Sequence, residues 1–148
     1  MKTKKTFKLT LPVAPVPASR PRVGRWGTFY SKNYAQWKKD ADICLREITA
    51  KNLGVTIKPL QVEGPISVTI EQICKRPKKL TREYPRGDLD NHAKGPLDAI
   101  TQSDIGWHDD DQVTKLIVSK RYAEPDEEPR SIITVSYTHL TLPTNREV

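Results

Sequence analysis

Four stretches of the chain have the apolar pattern of β-strands. Apolar and polar residues alternate over residues 5–11 and again over residues 66–74, which is typical of a strand with one buried face. Two closing strands are predicted over residues 113–121 and 131–136, joined by an acidic turn. These segments predict a β-sheet built from both ends of the chain.

Apolar residues recur at helical spacing between the first two predicted strands. The spacing predicts a long helix over residues 31–54, because Ser31 can cap its N-terminus. A shorter helix is predicted over residues 91–102, although Gly95-Pro96 lies inside it and should kink or delay it.

The 148 residues suffice for one domain with one core, and 36% hydrophobic and 29% charged residues fit a soluble globular protein. No apolar run approaches the roughly 20 residues that a membrane span needs, so no membrane partner is expected. The first residues alternate in polarity, unlike a signal peptide, and a cytoplasmic location is therefore expected. Cys44 and Cys74 are far apart and have no metal-ligand spacing, which argues against zinc or a disulfide.

The net charge of +7 is unevenly distributed along the chain. Residues 1–60 hold 13 Lys and Arg against 3 Asp and Glu, whereas residues 61–148 hold 12 against 15. A basic half and an acidic segment suit a protein that binds a polyanion and cations, although basic charge can also serve solubility alone.

Two basic loops are predicted, one over residues 19–27 and one over residues 75–86. Proline and glycine exclude regular structure in the first, and the second leads directly to the acidic motif. We expect both loops to contact phosphate groups, and a nucleic acid is the polyanion that would supply them. The candidate DNA-binding residues are Arg20, Arg22, Arg25, Lys75, Arg76, Lys78, Lys79 and Arg86.

Aspartates are concentrated at two places in the second half of the chain. In an extended segment, Asp88 and Asp90 would project to one face, roughly 6.6 Å apart at the backbone. The run Asp109-Asp110-Asp111 precedes a predicted strand that could lie beside the first pair. Hard oxygen ligands without cysteine favour Mg²⁺ or Mn²⁺ over zinc. Alternatively, Asp90 could cap a helix and residues 109–111 could form a turn.

Lys94 stands four residues after Asp90, the spacing of neighbours on one helix face. The lysine could form an ordinary helical ion pair, or it could reach the phosphate that a metal site of this kind would bind and cleave. Asp98 continues the same face and could be an outer-shell ligand or a surface residue.

These motifs resemble the RusA family of Holliday junction resolvases. The resemblance rests on Arg86-Gly87-Asp88-Leu89-Asp90-Asn91, then Lys94, Leu97-Asp98-Ala99-Ile100 and Trp107-His108-Asp109-Asp110-Asp111-Gln112-Val113. Residues 15–22 and 30–37 resemble phage-borne members, so the resemblance covers about residues 6–135.

The resemblance implies an α+β fold, a single small domain in which a mixed β-sheet is flanked by helices. It also implies a bacterial or phage-encoded homodimer that nicks four-way DNA junctions in pairs, with Mg²⁺ as cofactor and Mn²⁺ as a substitute. By motif, Asp88, Asp90 and Asp110 match the family's essential carboxylates and Lys94 its catalytic lysine. Asp109 is a further candidate metal ligand, whereas Asp111 is the weaker one.

Three other functions fit parts of the pattern. A nuclease of the same fold could act on flaps or other branched DNA, which the sequence does not distinguish from junctions. A non-catalytic DNA-binding module would use the aspartates only as caps and turns, against the spacing of the acidic and lysine blocks. A small-molecule phosphohydrolase fits less well, because two basic loops suit a long backbone.

The end of the chain differs from the rest. Residues 135–144 resemble the conceptual translation of a sequencing-library adaptor, which suggests a truncated reading frame. We therefore expect a RusA-like endonuclease domain over residues 1–136 and an adaptor-derived or disordered tail over residues 137–148.

Overall fold

The computed structural model describes residues 2–19, 22–25, 27–29, 31–53, 61–103 and 105–140. The strands are β1 (Lys2–Leu11), β2 (Arg22–Gly24), β3 (Gly27–Phe29), β4 (Gln61–Val62), β5 (Ile66–Cys74), β6 (Gly106–Trp107), β7 (Val113–Tyr122) and β8 (Arg130–Leu140). The helices are α1 (Lys32–Leu53) and α2 (Leu89–Ser103), and a short 3₁₀ turn spans Asp110–Gln112.

The main sheet has four strands in the order β1-β8-β5-β7. Strand β8 pairs antiparallel with both β1 and β5, whereas β5 and β7 are parallel and α2 connects them. The sheet is therefore mixed, and the α+β prediction of one small domain with a mixed sheet is confirmed.

Both helices pack on one face of the sheet around Trp37 of α1, whose side chain is buried. A Cβ atom added at Gly95 of α2 would lie only 3.0 Å from the Trp37 ring, so glycine permits the close approach of the two helices. The described core combines the side chains of Leu9, Leu11, Tyr34, Trp37, Ala41, Leu45, Ile66, Val68, Ile70, Ile100, Trp107, Ile133 and Val135.

Strand β8 continues four residues beyond the predicted end at Ser136. It pairs with β1 along the whole of that strand, from Leu11 to Lys2. The Tyr137 ring meets the Phe7 ring edge to face, with centroids 6.3 Å apart, and belongs to the margin of the core. The first residues of the predicted tail are thus part of the sheet.

The structure differs from the prediction in three further respects. The first basic loop contains an antiparallel hairpin of β2 and β3, although its prolines and glycines predicted no regular structure. The two-residue strands β4 and β6 pair in parallel and are too short to produce a periodic pattern. Helix α2 begins at Leu89, so Gly95-Pro96 does not delay it.

Within the described part of the chain, no helix combines the length and apolar character needed to cross a membrane.

Candidate active site

A tight turn at Gly87 delivers the chain from the second basic loop into α2. Gly87 has φ +97°, and a Cβ atom there would lie 2.7 Å from Cβ of Pro17 and 3.0 Å from Nε2 of His92. The Lys120 ammonium of β7 donates a hydrogen bond to the Gly87 carbonyl. The turn therefore fixes Asp88, the next residue, at the start of the helix.

Asp88 and Asp90 do not form the extended pair that the sequence predicted. The His92 amide donates to the Asp88 carbonyl at 3.0 Å, which places Asp88 at the cap of α2 and Asp90 in its first turn. The Asp90 carboxylate accepts a hydrogen bond from the Asn91 amide at 3.0 Å. The extended geometry fails because α2 begins two residues earlier than its apolar spacing predicted.

Asp90, Lys94 and Asp98 follow one another at intervals of four and share one side of α2. Within this stripe, Lys94 Nζ lies 3.3 Å from a carboxylate oxygen of Asp98, and the lysine side chain is largely exposed. The lysine therefore pairs with the acid one turn later and not with Asp90, the ion-pair partner that was one of the two alternatives from the sequence.

Helix α2 remains continuous through Pro96 because a side chain of β5 replaces the hydrogen bond that proline removes. Pro96 has no N–H to donate to the carbonyl of His92, four residues earlier. The Gln72 amide nitrogen donates to that carbonyl at 3.0 Å, and the Gln72 amide oxygen accepts from the Ser131 hydroxyl. Gln72 and Ser131 are both buried, so this link fixes α2 to the sheet.

The second acidic block is organised by Asp109 and Gln112. The Asp109 carboxylate accepts from the Asp111 amide at 3.0 Å and caps the 3₁₀ turn. The Gln112 amide oxygen accepts from the backbone of His108 at 2.8 Å and of Asp109 at 3.0 Å. Asp109 therefore has a structural role, while Asp110 is exposed at the first position of the turn.

Asp110 is the residue at which the two acidic regions meet. The pKa of Asp110 is raised, and the largest cause is desolvation of its carboxylate by the protein. A side-chain hydrogen bond with Asp109 and the negative charges of Asp109 and Asp98 raise it further. The positive charge of Lys94 lowers the same pKa. The α2 stripe and the 3₁₀ turn thus bring Asp98, Lys94, Asp109 and Asp110 into electrostatic range of one another.

No three His, Cys, Asp or Glu side chains among the described residues are grouped closely enough to hold a metal ion as they stand. Asp88 and Asp90 lie at the start of α2, near the carboxyl end of β7, whereas Asp110 precedes the amino end of that strand. The stripe between them spans this interval. The chemistry of the donors nevertheless suits Mg²⁺, because all of them are carboxylate oxygens.

The second basic loop lies beside the start of α2. Lys75, Lys78, Lys79 and Arg86 are exposed, and Arg76 donates to the Ala123 carbonyl at 3.4 Å. In the first basic region Arg25 is exposed, whereas Arg20 and the side chain of Arg22 lie outside the described residues.

Sequence reasoning missed three polar residues that position the site: Gln72, His92 and Gln112. His92 is buried, and its Nε2 donates to the Arg86 carbonyl at 2.8 Å. Burial is the largest cause that lowers the pKa of His92, with a smaller contribution from the charge of Lys120. A polar residue at a buried strand position was the available signal for Gln72, and the spacing of Asp109 and Gln112 as a capping box was the signal for Gln112.

The site combines a lysine with neighbouring carboxylates on a helix that packs against the sheet, and an exposed cationic loop lies beside it. This arrangement is typical of an enzyme that cleaves phosphodiester bonds in nucleic acid. The family model described as Endodeoxyribonuclease RusA matches residues 12–136, and the chain belongs to this family. The protein is therefore an endodeoxyribonuclease of a family that resolves Holliday junctions, as the motifs indicated. The comparison with curated proteins found no match.

Proposed function

We propose that this protein is a Mg²⁺-dependent, structure-selective endonuclease that resolves four-way DNA junctions by paired symmetric nicks in recombination and repair. The observation that carries the proposal is the meeting of Asp110 with the Lys94–Asp98 pair of α2, next to a cationic loop. Carboxylates held together beside a lysine serve phosphodiester hydrolysis, in which negative charge develops on the phosphate oxygens.

Asp88, Asp90 and Asp110 are the proposed ligands of the metal, and Asp109, next to Asp110, is a fourth candidate carboxylate. Asp109 is the weaker ligand, because its carboxylate already caps the 3₁₀ turn. Mn²⁺ is expected to substitute, since it accepts the same hard oxygen ligands. When bound, the ion supplies an activated water and neutralises charge on the leaving oxygen.

Lys94 is the proposed catalytic lysine. Its ammonium is exposed and held by Asp98 at 3.3 Å, so it can exchange this partner for a non-bridging oxygen of the phosphate. Asp98 would act as a positioning residue, because it keeps the lysine on the side of α2 that faces Asp110.

The exposed cations would hold the arms of the junction through their phosphates. Lys75 and Arg86 line one groove with His92 of α2, so DNA bound to them passes the start of that helix, and Lys78 and Lys79 are exposed in the same loop. Arg76 is expected to contribute despite its bond to the Ala123 carbonyl, because a guanidinium has further donors. Arg20, Arg22 and Arg25 extend this proposed surface on the basis of the sequence.

A substrate panel tests the proposed specificity. The protein is incubated with four-way, three-way, flap and linear duplex DNA of matched sequence, each with Mg²⁺ or chelator. We expect cleavage of the four-way junction in Mg²⁺ to exceed that of every other substrate. Faster cleavage of flaps would favour the alternative function as a nuclease for other branched DNA. Binding without cleavage in either condition would favour a non-catalytic module.

Paired nicking requires two active sites, and we propose a homodimer as the active form. A supercoiled plasmid that extrudes a cruciform distinguishes paired from single nicks. Two nicks within one binding event give linear product directly, whereas independent nicks give nicked circles first. Accumulation of nicked circles before linear product would contradict the paired mechanism.

A further inference from the structure

A groove of about 310 Å³ opens where the carboxyl ends of β5 and β7 meet the second basic loop. Cys74 and Tyr122 line it from the strand ends, and His92 lines it from α2. Arg86, which also lines the groove, is two residues before Asp88. The groove therefore adjoins the candidate active site without containing any of its carboxylates.

His92, one of the residues that line this groove, has an unsatisfied hydrogen-bond acceptor. A carbonyl oxygen can only accept, so the bond from Nε2 to the Arg86 carbonyl requires that Nε2 carry the proton. Nδ1 is then an acceptor, and it is buried without a hydrogen-bond partner among the described residues. An acceptor left unpaired in a buried position favours a ligand that donates N–H or O–H.

The rim of the groove is cationic and its walls are flat. Lys75, Arg82 and Arg86 line it, so a ligand with negative charge nearby is favoured. Tyr122 and several proline rings supply flat, weakly polar surfaces of the kind on which planar groups stack. The volume lies at the lower end of the range for small-molecule sites and suits one planar ring system.

We propose that this groove binds one unpaired nucleobase of the DNA strand, at the end of the candidate active site where Asp88 lies. A nucleobase combines a stacking face with N–H donors on its pairing edge, and its backbone supplies the phosphates that the rim cations attract. Inorganic phosphate alone fits poorly, because it carries acceptor oxygens and would face the acceptor of His92. The inference rests on the proposed function only in taking DNA as the substrate.

The test measures the side-chain nitrogen signals of the full chain labelled with ¹⁵N-histidine, in chelator, during titration with single-stranded DNA. His108→Asn and His139→Asn variants assign the signals without altering His92. A second oligonucleotide of equal length has abasic sites at every position and therefore presents phosphates without bases. The measurement requires no cleavage and no metal, so its failure is distinct from failure of the nuclease proposal.

Thr81→Trp supplies an independent variant, because Thr81 is exposed and lines the groove. A tryptophan there occupies the proposed base site and leaves the buried side chains unchanged. Leu80→Trp is the matched control, since Leu80 is an exposed neighbour that does not line the groove.

We expect DNA, but not the abasic strand, to move the unprotonated nitrogen of His92 upfield. Thr81→Trp should abolish this movement and weaken binding of the base-bearing strand by about 5- to 100-fold, as removal of one stacked base does. Leu80→Trp should preserve both. An equal response to the abasic strand, conversion of His92 to the doubly protonated form, or equal affinity of the two tryptophan variants would overturn the proposal.

Discussion

The charge of Asp110 is unfavourable to the folded protein at neutral pH. Its pKa is raised by desolvation and by Asp109 and Asp98, so ionisation costs more in the folded protein than in the unfolded chain. The cost is fully present above the folded pKa and vanishes below the ordinary aspartate pKa, where both states are protonated.

Asp110→Asn should therefore stabilise the protein slightly at neutral pH. In chelator at pH 7 we expect its melting temperature to rise by no more than about 2 °C, the scale of surface substitutions. The difference should disappear near pH 3. Asp111→Asn removes an equal charge from the same turn and serves as the control. A loss of stability at pH 7 that is specific to Asp110→Asn would show that its carboxylate supports the fold.

Lys94→Ala separates the role of the lysine from that of the metal ligands. Without the lysine, the negative charge that develops on the phosphate in the transition state loses a stabilising positive charge. Single-turnover nicking should therefore slow by about 10²-fold or more. Magnesium dependence should persist, because the carboxylates remain. Lys115→Ala on β7 is a matched control at an exposed lysine outside the α2 stripe. Nicking at the parental rate by Lys94→Ala would assign the lysine to its ion pair with Asp98 alone.

Among the elements, helix α2 stays continuous because Gln72 of β5 donates the hydrogen bond to the His92 carbonyl that Pro96 cannot donate. Gln72→Leu would leave the His92 carbonyl and the Ser131 hydroxyl without their partner and should cost about 2–3 kcal/mol of unfolding free energy. Pro96→Ala restores an N–H for that carbonyl. In the Gln72→Leu background it should recover part of the loss. Strictly additive effects in urea denaturation would contradict the compensation between Gln72 and Pro96.

The end of β8 gives a second test at this scale. Tyr137→Ala should lower the unfolding free energy by about 1–2 kcal/mol, because it removes the edge-to-face interaction with Phe7 and part of the core margin. Thr138→Ala, at the exposed next position of the strand, is the control. Equal stability of the two variants would show that the Tyr137 side chain does not contribute to the core.

The sequence predicted the elements that have a clear period and missed those that do not. The long helix and strand β5 were located closely, because their apolar residues repeat over many positions. The two-residue strands β4 and β6 have no period to detect. The predicted start of α2 was two residues late, which produced the extended geometry expected for Asp88 and Asp90.

The candidate site was predicted by motif, whereas its internal geometry depends on long-range contacts. The closeness of Asp98 and Lys94 to Asp110 arises because α2 runs back along β7, which local spacing does not encode. Asp109 and Asp110 have different roles because the Asp109 carboxylate caps the turn by accepting a hydrogen bond from the Asp111 amide, whereas the Asp110 carboxylate does not. The motif ranked Asp110 above Asp109 but did not identify Asp109 as the cap of the turn.

For the molecule as a whole, DNA affinity should come from exposed basic side chains and not from those that already form ion pairs with acidic side chains. Arg121 donates to both oxygens of Glu127, at 2.6 and 2.7 Å, and this pairing lowers the pKa of Glu127 to about 2. Lys78 is exposed in the second basic loop. Lys78→Ala should therefore weaken binding of all duplex sequences, whereas Arg121→Ala should have little effect.

The salt dependence of affinity measures this difference directly. For every duplex phosphate that a variant no longer binds, the slope of log affinity against log salt should fall by roughly 0.9. We expect that reduction for Lys78→Ala and an unchanged slope for Arg121→Ala, in gel-shift titrations with chelator. Equal slopes for parent and Lys78→Ala would remove that residue from the DNA-binding surface.

The most direct test of a metal-dependent junction nuclease centred on Asp110 is single-turnover nicking of a four-way junction by the parent and Asp110→Asn, in Mg²⁺ and in chelator. We expect the parent to cleave only in Mg²⁺ and Asp110→Asn to lose cleavage, while gel shifts in chelator show its junction affinity equal to or above that of the parent. Affinity should persist because the amide removes one negative charge facing the phosphates. Cleavage by Asp110→Asn near the parental rate, or by the parent in chelator, would contradict the assignment.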